Sequence, residues 1–346
     1  MTEEAANQLD LPTDFGDWEA EYRALVDSCA LIGRVDRGAV LLTGDKPAEM
    51  LNGLVTNQVA AAGDSGRYAL QLTAKGRVLT DLRAFPTSAG IWVDVPRAGL
   101  QNLLATFSKY LPPLYARFED ASERIRHLAV HGPRAPTTFE EALGAAPPTE
   151  HLGVNEIAGL SHEPVLVVRN RRMGDAVELI GSEASIARLA ADLLPSVRRH
   201  GGRLAGARAL EVARVEWGVP LYGVDMSEDN LAQETGLEDA ISYDKGCYLG
   251  QEVVSRIHFR GHVNRHLRSL AFLGSELPPP PAGAELLAGS KQVGVVTSAV
   301  SSPEFGSIGL GYVRHEIEPG ETLRWAGTDA EGSLEVREAP FRARSV

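Results

Sequence analysis

The sequence predicts an α+β fold: a body of mixed strands and helices followed by a small C-terminal β-barrel. Three observations carry this. Through the first 270 residues, period-2 apolar runs and helical-period stretches follow one another irregularly, without the strand–helix succession of a parallel sheet. The run Leu277-Pro-Pro-Pro-Pro281 then interrupts them. A proline run is stiff and extended, so it spaces two units. Beyond it come short β segments and glycine turns, which suit a small barrel or sandwich. The expected organisation is a body at 17–270, a proline-rich linker at 271–282 and the barrel at 283–346.

In chain order, residues 1–16 are polar and rich in breakers and read as loose. Trp18, Tyr22, Leu25 and Val26 recur at helical spacing and predict a helix at 17–28. Leu31–Val35 and Ala39–Thr43 read as strands around the turn Asp36-Arg37-Gly38. Asp45 is placed to cap a helix carrying Met50, Leu51 and Leu54. Three antiparallel strands follow: Tyr68–Thr73, Arg77–Phe85 and Ile91–Val95. A helix is expected at 97–109 and an internal strand at 124–130. Residues 132–163 carry only weak helical pattern. Strands at 164–169 and 176–180 precede helices at 183–194 and 204–217. Leu267–Leu273 is a further strand, and 292–298, 307–313 and 321–325 are the clearest strands of the C-terminal unit.

Composition excludes several classes. The net charge of -12 argues against general nucleic-acid affinity, though a local basic patch remains compatible with it. Two cysteines, Cys29 and Cys247, exclude a disulfide framework and cannot supply four thiolates to an iron–sulfur cluster. No apolar run reaches the roughly 18 residues of a membrane span, and the acidic N-terminus has no targeting pattern. A cytoplasmic protein is expected.

The most informative stretch is Asp244-Lys-Gly-Cys-Tyr-Leu-Gly-Gln-Glu-Val-Val-Ser-Arg256. Gly250 is a candidate N-cap, with Val253, Val254 and Ile257 forming the apolar face of the helix behind it. Cys247 then precedes a helix N-terminus with Lys245 nearby. Both features favour a thiolate, and Asp244 opposes them. The plainer account is a small buried thiol beside a turn.

Lys245-Gly-Cys-Tyr-x-Gly-Gln-Glu252, with Arg256 four residues on, resembles the signature of YgfZ-type folate-binding proteins, relatives of the glycine-cleavage T protein, an aminomethyltransferase. A second stretch, Arg214-Val-Glu216-Trp-Gly-Val-Pro-Leu-Tyr-Gly223, resembles the T-protein segment whose glutamate recognises the pterin ring. A carboxylate suits that task because it accepts from an amino group and a ring N–H side by side. The alternative is a glutamate solvated at a helix end or paired with Arg214. A third stretch, Lys75-Gly-Arg-Val-Leu-Thr-Asp-Leu82, resembles the segment whose second aspartate lies near folate N10. Asp81 falls on that aspartate, and Thr80 and Arg77 depart from the pattern. By strand alternation Asp81 shares a face with Leu79. The alternative is an edge aspartate facing water. The same resemblance places Tyr68, Trp92 and Val93 on the pocket wall, where each is equally compatible with plain core.

The resemblance implies a folate-binding body around a central opening, made of two interleaved subdomains. It implies tetrahydrofolate, or a one-carbon derivative, as cofactor. It further implies support of iron–sulfur cluster assembly or repair, with client or assembly proteins as partners and an indirect effect on tRNA modification. On this reading Glu216 and Asp81 hold the folate, Cys247 is the redox or transfer thiol, and Lys245 tunes it or contacts the folate. The competing readings are a folate-dependent aminomethyl- or demethylating transferase, and an RNA-binding adaptor. Arg256, Arg260, Arg265 and Arg268, with Arg171, Arg172, Arg198, Arg199 and Arg203, offer a basic cluster for a glutamate tail, an RNA phosphate or plain solvation. His258, His262 and His266 fall four apart, but Gly261 and Asn264 interrupt the helix that metal ligation needs, so no metal site is expected.

Overall fold

The computed structural model describes residues 9–59, 65–160, 163–274, 278–328 and 330–342. Seventeen strands and seven α-helices among them form two sheets and a barrel. The first sheet runs β3 (Arg67–Leu72), β4 (Val78–Thr87), β5 (Gly90–Pro96), β2 (Arg37–Thr43), β6 (Arg117–Asp120), all antiparallel. The second runs β11 (Arg203–Leu204), β1 (Ala30–Gly33), β7 (Ile125–His131), β10 (Ala176–Ser182), β9 (Val165–Asn170), β8 (Val154–Ile157). The predicted strand at 124–130 is internal, as expected, because β1 and β10 flank it.

Each sheet buries one face under helices. Leu82, Ala84, Val93 and Val95 meet Leu100, Leu103 and Phe107 of the helix Arg97–Tyr110. Leu128, Val130, Val177 and Leu179 meet Ile186, Ala190 and Leu193 of the helix Glu183–Arg199. The opposite faces turn toward each other, where Tyr68, Phe85 and Trp92 share a core with Leu166, Val168 and Ile180. The period-2 alternation of β4 therefore sorts its residues between a helix-packed side and an inter-sheet side.

The C-terminal unit is a closed six-stranded barrel in the order β12 (Arg265–Leu273), β15 (Gly306–Arg314), β14 (Lys291–Ser302), β13 (Glu285–Ala288), β16 (Thr322–Ala326), β17 (Glu331–Arg337). It begins ahead of the proline run, because β12 pairs with both β15 and β17 and closes the sheet. Pro278–Pro281 is a connection within the barrel, not a spacer in front of it; Leu277 lies outside the described residues. The helix Ala207–Glu216 bolts barrel to body: Val215 packs with Ile308, Leu310 and Tyr312.

Other departures have local causes. Residues 9–16 are tied down, with residues 1–8 outside the described set. Pro12 and Thr13 carbonyls accept from the N–H groups of Ala207 and Arg208, at 2.7 and 2.9 Å. Helix-initial N–H groups have no partner within their own helix, so an incoming strand of carbonyls satisfies them. Asp45 does not cap the next helix; Lys46 stands at that position, and its side chain pairs with Glu49 instead of capping the helix. The weakly patterned 132–163 region holds the helix Ala135–Leu143 and edge strand β8. No helix among the described residues is long and apolar enough to cross a membrane.

Candidate functional site

The two sheets enclose a central hollow of about 80 Å³, lined among others by Tyr68, Asp81, Arg83, Arg172 and Glu178. The strand pattern explains which residues reach it. Asp81 and Arg83 alternate on the inter-sheet side of β4, and Tyr68 on β3 stands directly opposite Arg83. Thr80 points the other way: a Cβ on Gly99 of the covering helix would lie 1.9 Å from its hydroxyl oxygen. The departure at Thr80 therefore leaves the hollow unaltered.

Asp81 is buried. Its Oδ2 accepts from the Tyr68 hydroxyl at 3.0 Å, and its Oδ1 has no partner. Burial raises the carboxyl above its ordinary value, against the opposing pull of Arg37. Behind it lies a network that sequence reasoning did not find. Arg37 grips Asp94 with two bonds of 2.9 and 2.6 Å, and Arg83 Nε donates to the same carboxylate at 2.5 Å. Arg83 Nη1 reaches across the sheets to Glu178, at 2.6 Å. Burial alone would raise the Asp94 carboxyl; Arg37 and Arg83 overcome it and hold it far below the carboxylate range. The signal was available: Arg83 is two residues from Asp81 on one strand, so the two share a face.

Arg172, from the turn between β9 and β10, closes the hollow. Its guanidinium lies over the Tyr68 ring at 3.8 Å and pairs with Asp239.

The other expected site residues lie elsewhere. Glu216 is fully buried but outside the hollow. Its carboxylate accepts from Tyr22 (2.7 Å), Ser302 (2.6 Å) and Arg342 (3.1 Å), which joins body, barrel and C-terminal segment. Trp92 and Val93 are consecutive on β5 and face opposite ways. Trp92 belongs to the inter-sheet core, Val93 to the helix-packed core, and neither lines the hollow. Of the expected pocket walls, only Tyr68 does.

Cys247 is exposed, and Cys29 is buried. Gly250 caps the helix Gln251–Arg260 with φ +89°, and a Cβ there would meet the Thr73 carbonyl at 2.6 Å, so glycine is required. Lys245 does not line the hollow. Its ammonium donates to the carbonyls of Asn52, Val55 and Asn57 at 2.8, 2.7 and 2.7 Å, and so pins the loop to the body. Burial pushes its pKa down to about 8. Arg256 is exposed and lines a separate groove with Lys75, Arg77 and Arg260. Glu216, Cys247 and Asp81 thus do not meet in one cavity. Among the described residues no cluster of metal-binding side chains occurs. His258 stacks on Tyr243 at 3.6 Å, and His262 lies against His315.

Comparison with known proteins agrees with this architecture. Residues 3–245 match the GCVT N-terminal domain, and residues 265–344 match the glycine cleavage T-protein C-terminal barrel domain. The Aminomethyltransferase of Saccharopolyspora erythraea is 29% identical over 357 residues, covering 96% of this chain and 95% of its own length. That of Thermosynechococcus vestitus is 27% identical, covering 88% and 84%. The crystal structure of the glycine cleavage system aminomethyltransferase T from Bartonella henselae superposes with a TM-score of 0.81 at 21% identity, over 94% of this chain and 89% of that one. The chain belongs to the glycine cleavage T-protein family.

Proposed function

We propose that this chain is a folate-dependent one-carbon transfer protein of the aminomethyltransferase kind, working at the hollow around Asp81. The observation that carries the reading is the buried, unpartnered Asp81 Oδ1 facing a cavity. Native proteins rarely leave such an acceptor unsatisfied, and the exceptions concentrate where a ligand completes the bond. Similarity along nearly the whole length of proteins named Aminomethyltransferase supports the same reaction class.

Reduced folate fits the residues present in part. The Asp81 end suits a ligand rich in N–H donors. Glu216 does not suit the role of pterin anchor, because three donors already occupy its carboxylate. In this reading Tyr68, Asp81 and Arg172 hold the ligand. Reduced folate, when bound, supplies the nitrogens that take up the one-carbon unit. Tyr68 fixes Oδ2 of Asp81, which leaves Oδ1 to hold a proton or accept a hydrogen bond. The raised carboxyl pKa brings that group closer to proton exchange near neutral pH than an exposed aspartate. Tetrahydrofolate titration followed by tryptophan fluorescence tests the reading. Asp81→Asn should weaken binding at least about tenfold, the size of one lost charge-assisted bond. A wild-type protein that fails to bind at millimolar ligand would sink it.

The exposure of Cys247 favours a second reading, the YgfZ-type role in iron–sulfur cluster assembly or repair, with its effect on tRNA modification indirect. A thiol held outward on a pinned loop is available to a protein partner, which a buried one is not. Full rescue of iron–sulfur enzyme activity by Cys247→Ala in a deletion strain would remove this role. Steep salt-dependent retention on tRNA, lost with Arg256→Ala, would instead favour direct RNA contact.

A further inference from the structure

The helix Gln251–Arg260 walls a groove that none of the roles above uses. Val253, Arg256, Ile257 and Arg260 recur at helical spacing and form one face of that helix. The turn bearing Lys75 and Arg77 makes the opposing wall, and it lies so near that a Cβ on Gly76 would meet Val253 at 3.0 Å. The groove encloses about 660 Å³, the size of an ordinary small-ligand site. It shares no lining residue with the hollow around Asp81. Among the described residues, Lys75, Arg256 and Arg260 form no ion pair, and no carboxylate lines the groove. Arg77 spends one nitrogen on the Asp229 carbonyl, at 2.6 Å, which leaves its charge in place. On a chain of net charge -12, these four cations hold a local potential of the opposite sign. Between them the floor is apolar, formed by Ala74, Leu231, Val253 and Ile257. Phe259, three residues past Arg256 and therefore beside it on the helix, stands 69% exposed and meets His258 only edge to face.

We propose that this groove binds a nucleotide-class ligand, a di- or triphosphate joined to a flat heteroaromatic ring. The phosphates meet Arg256, Arg260 and Lys75, and the ring stacks on Phe259. Arg256 and Arg260 stand one helical turn apart, with Cβ atoms about 5–6 Å from each other, so one diphosphate engages both guanidinium forks. The apolar floor lies under the sugar and ring. A free nucleotide suits the groove better than a long strand does. Arg265, the next cation in the chain, is already paired with Glu234, at 3.2 Å. A strand leaving the groove then runs over an acidic surface that repels it. Salt confines that repulsion to about 8 Å, so a ligand no larger than the groove feels chiefly its four cations. An acidic peptide answers the cations but leaves the exposed ring of Phe259 without a partner. The inference stands apart from the one-carbon reading, since the two cavities are separate.

The test titrates the full chain with ADP, with pyrophosphate and with a single-stranded twelve-nucleotide RNA, by calorimetry at low salt. ADP should bind and weaken as salt rises. Arg256→Gln with Arg260→Gln should weaken it at least about tenfold, the size of one lost charge-assisted bond. Phe259→Ser should weaken ADP at least about fivefold, the low end of what one stacked base contributes, and leave pyrophosphate unaffected. All three side chains are exposed, so the variants should fold as wild type and keep its tetrahydrofolate affinity. Absence of ADP binding at millimolar ligand overturns the inference. So does pyrophosphate bound as tightly as ADP with no effect of Phe259→Ser, which marks a plain anion patch. RNA bound more tightly than ADP overturns it in favour of a strand path. Displacement of ADP by tetrahydrofolate carrying a polyglutamate tail, but not by tetrahydrofolate itself, overturns it in favour of the tail. None of these results bears on tetrahydrofolate binding at the hollow, whose own titration decides the one-carbon reading.

Discussion

Replacing Glu216 by glutamine separates the two roles that this residue could play. Its carboxylate accepts three bonds, from Tyr22 at 2.7 Å, Ser302 at 2.6 Å and Arg342 at 3.1 Å, and none of its surface is exposed. Glutamine keeps the volume but removes the charge and turns an NH2 toward donors. Breaking a buried ion pair costs about 3–5 kcal/mol. Arg342 is 19% exposed and retains Glu304, so solvent and a second carboxylate soften the loss, and about 3 kcal/mol is expected. That is roughly a hundredfold in the unfolding equilibrium constant. Urea unfolding followed by the fluorescence of Trp217, which lies beside Arg342, reads it directly. Arg342→Met should destabilise by a similar amount, and the double variant by clearly less than the sum, since both remove one interaction. Folate affinity of the folded Glu216→Gln protein should match wild type. An undiminished unfolding midpoint together with a tenfold loss of folate affinity would refute the reasoning and return Glu216 to the binding site.

Three other changes follow from the same geometry. Asp94→Asn leaves Arg37 and Arg83 facing each other without their shared anion, and should cost about 3–5 kcal/mol in denaturant unfolding. Because the Asp94 pKa is depressed on folding, its contribution is present above pH 3.8 and is lost as pH falls toward the folded value; the variant's stability should therefore lose that part of the acid dependence. Asp81→Asn has the opposite sign: a carboxyl raised on folding penalises the folded state at pH 7, so the variant should unfold at higher denaturant there, and the gain should vanish toward pH 4. Lys245→Met frees three carbonyls and unpins the cysteine loop, and amide exchange at residues 244–250 should quicken roughly tenfold, about 1–2 kcal/mol of local opening, without change in tetrahydrofolate affinity.

The fold was legible where a stretch carried its own period. The helix Arg97–Tyr110 and strands β3, β4 and β5 were predicted within one or two residues because their apolar faces are continuous. The edge strands β6 and β8 gave no such pattern, since most of their residues face water and hydrophobicity then has nothing to sort. The barrel boundary was displaced for a related reason. A proline run states that a segment is extended, not on which side of a domain border it lies, and β12 reveals its membership only through its two hydrogen-bonded neighbours.

The site was legible in proportion to how far its residues depend on one strand. Asp81 and Tyr68 lie on paired neighbours, so local alternation and pairing suffice to aim both inward. Trp92 and Val93 could not both line one wall, because successive strand residues face opposite ways; alternation alone would have divided them. Glu216 is different in kind. A carboxylate near a helix end can meet a ligand or an internal cation with equal economy of local structure, and here the cation is Arg342, 126 residues away in sequence. No window of sequence around Glu216 contains that partner. A segment's resemblance to a known binding motif identifies a residue able to hold a ligand. Whether it is free to do so depends on which long-range donor reaches it first, and Arg172 and Arg342 show both outcomes within one chain: one guanidinium nitrogen left open in a cavity, another spent on the carboxylate that the motif singled out.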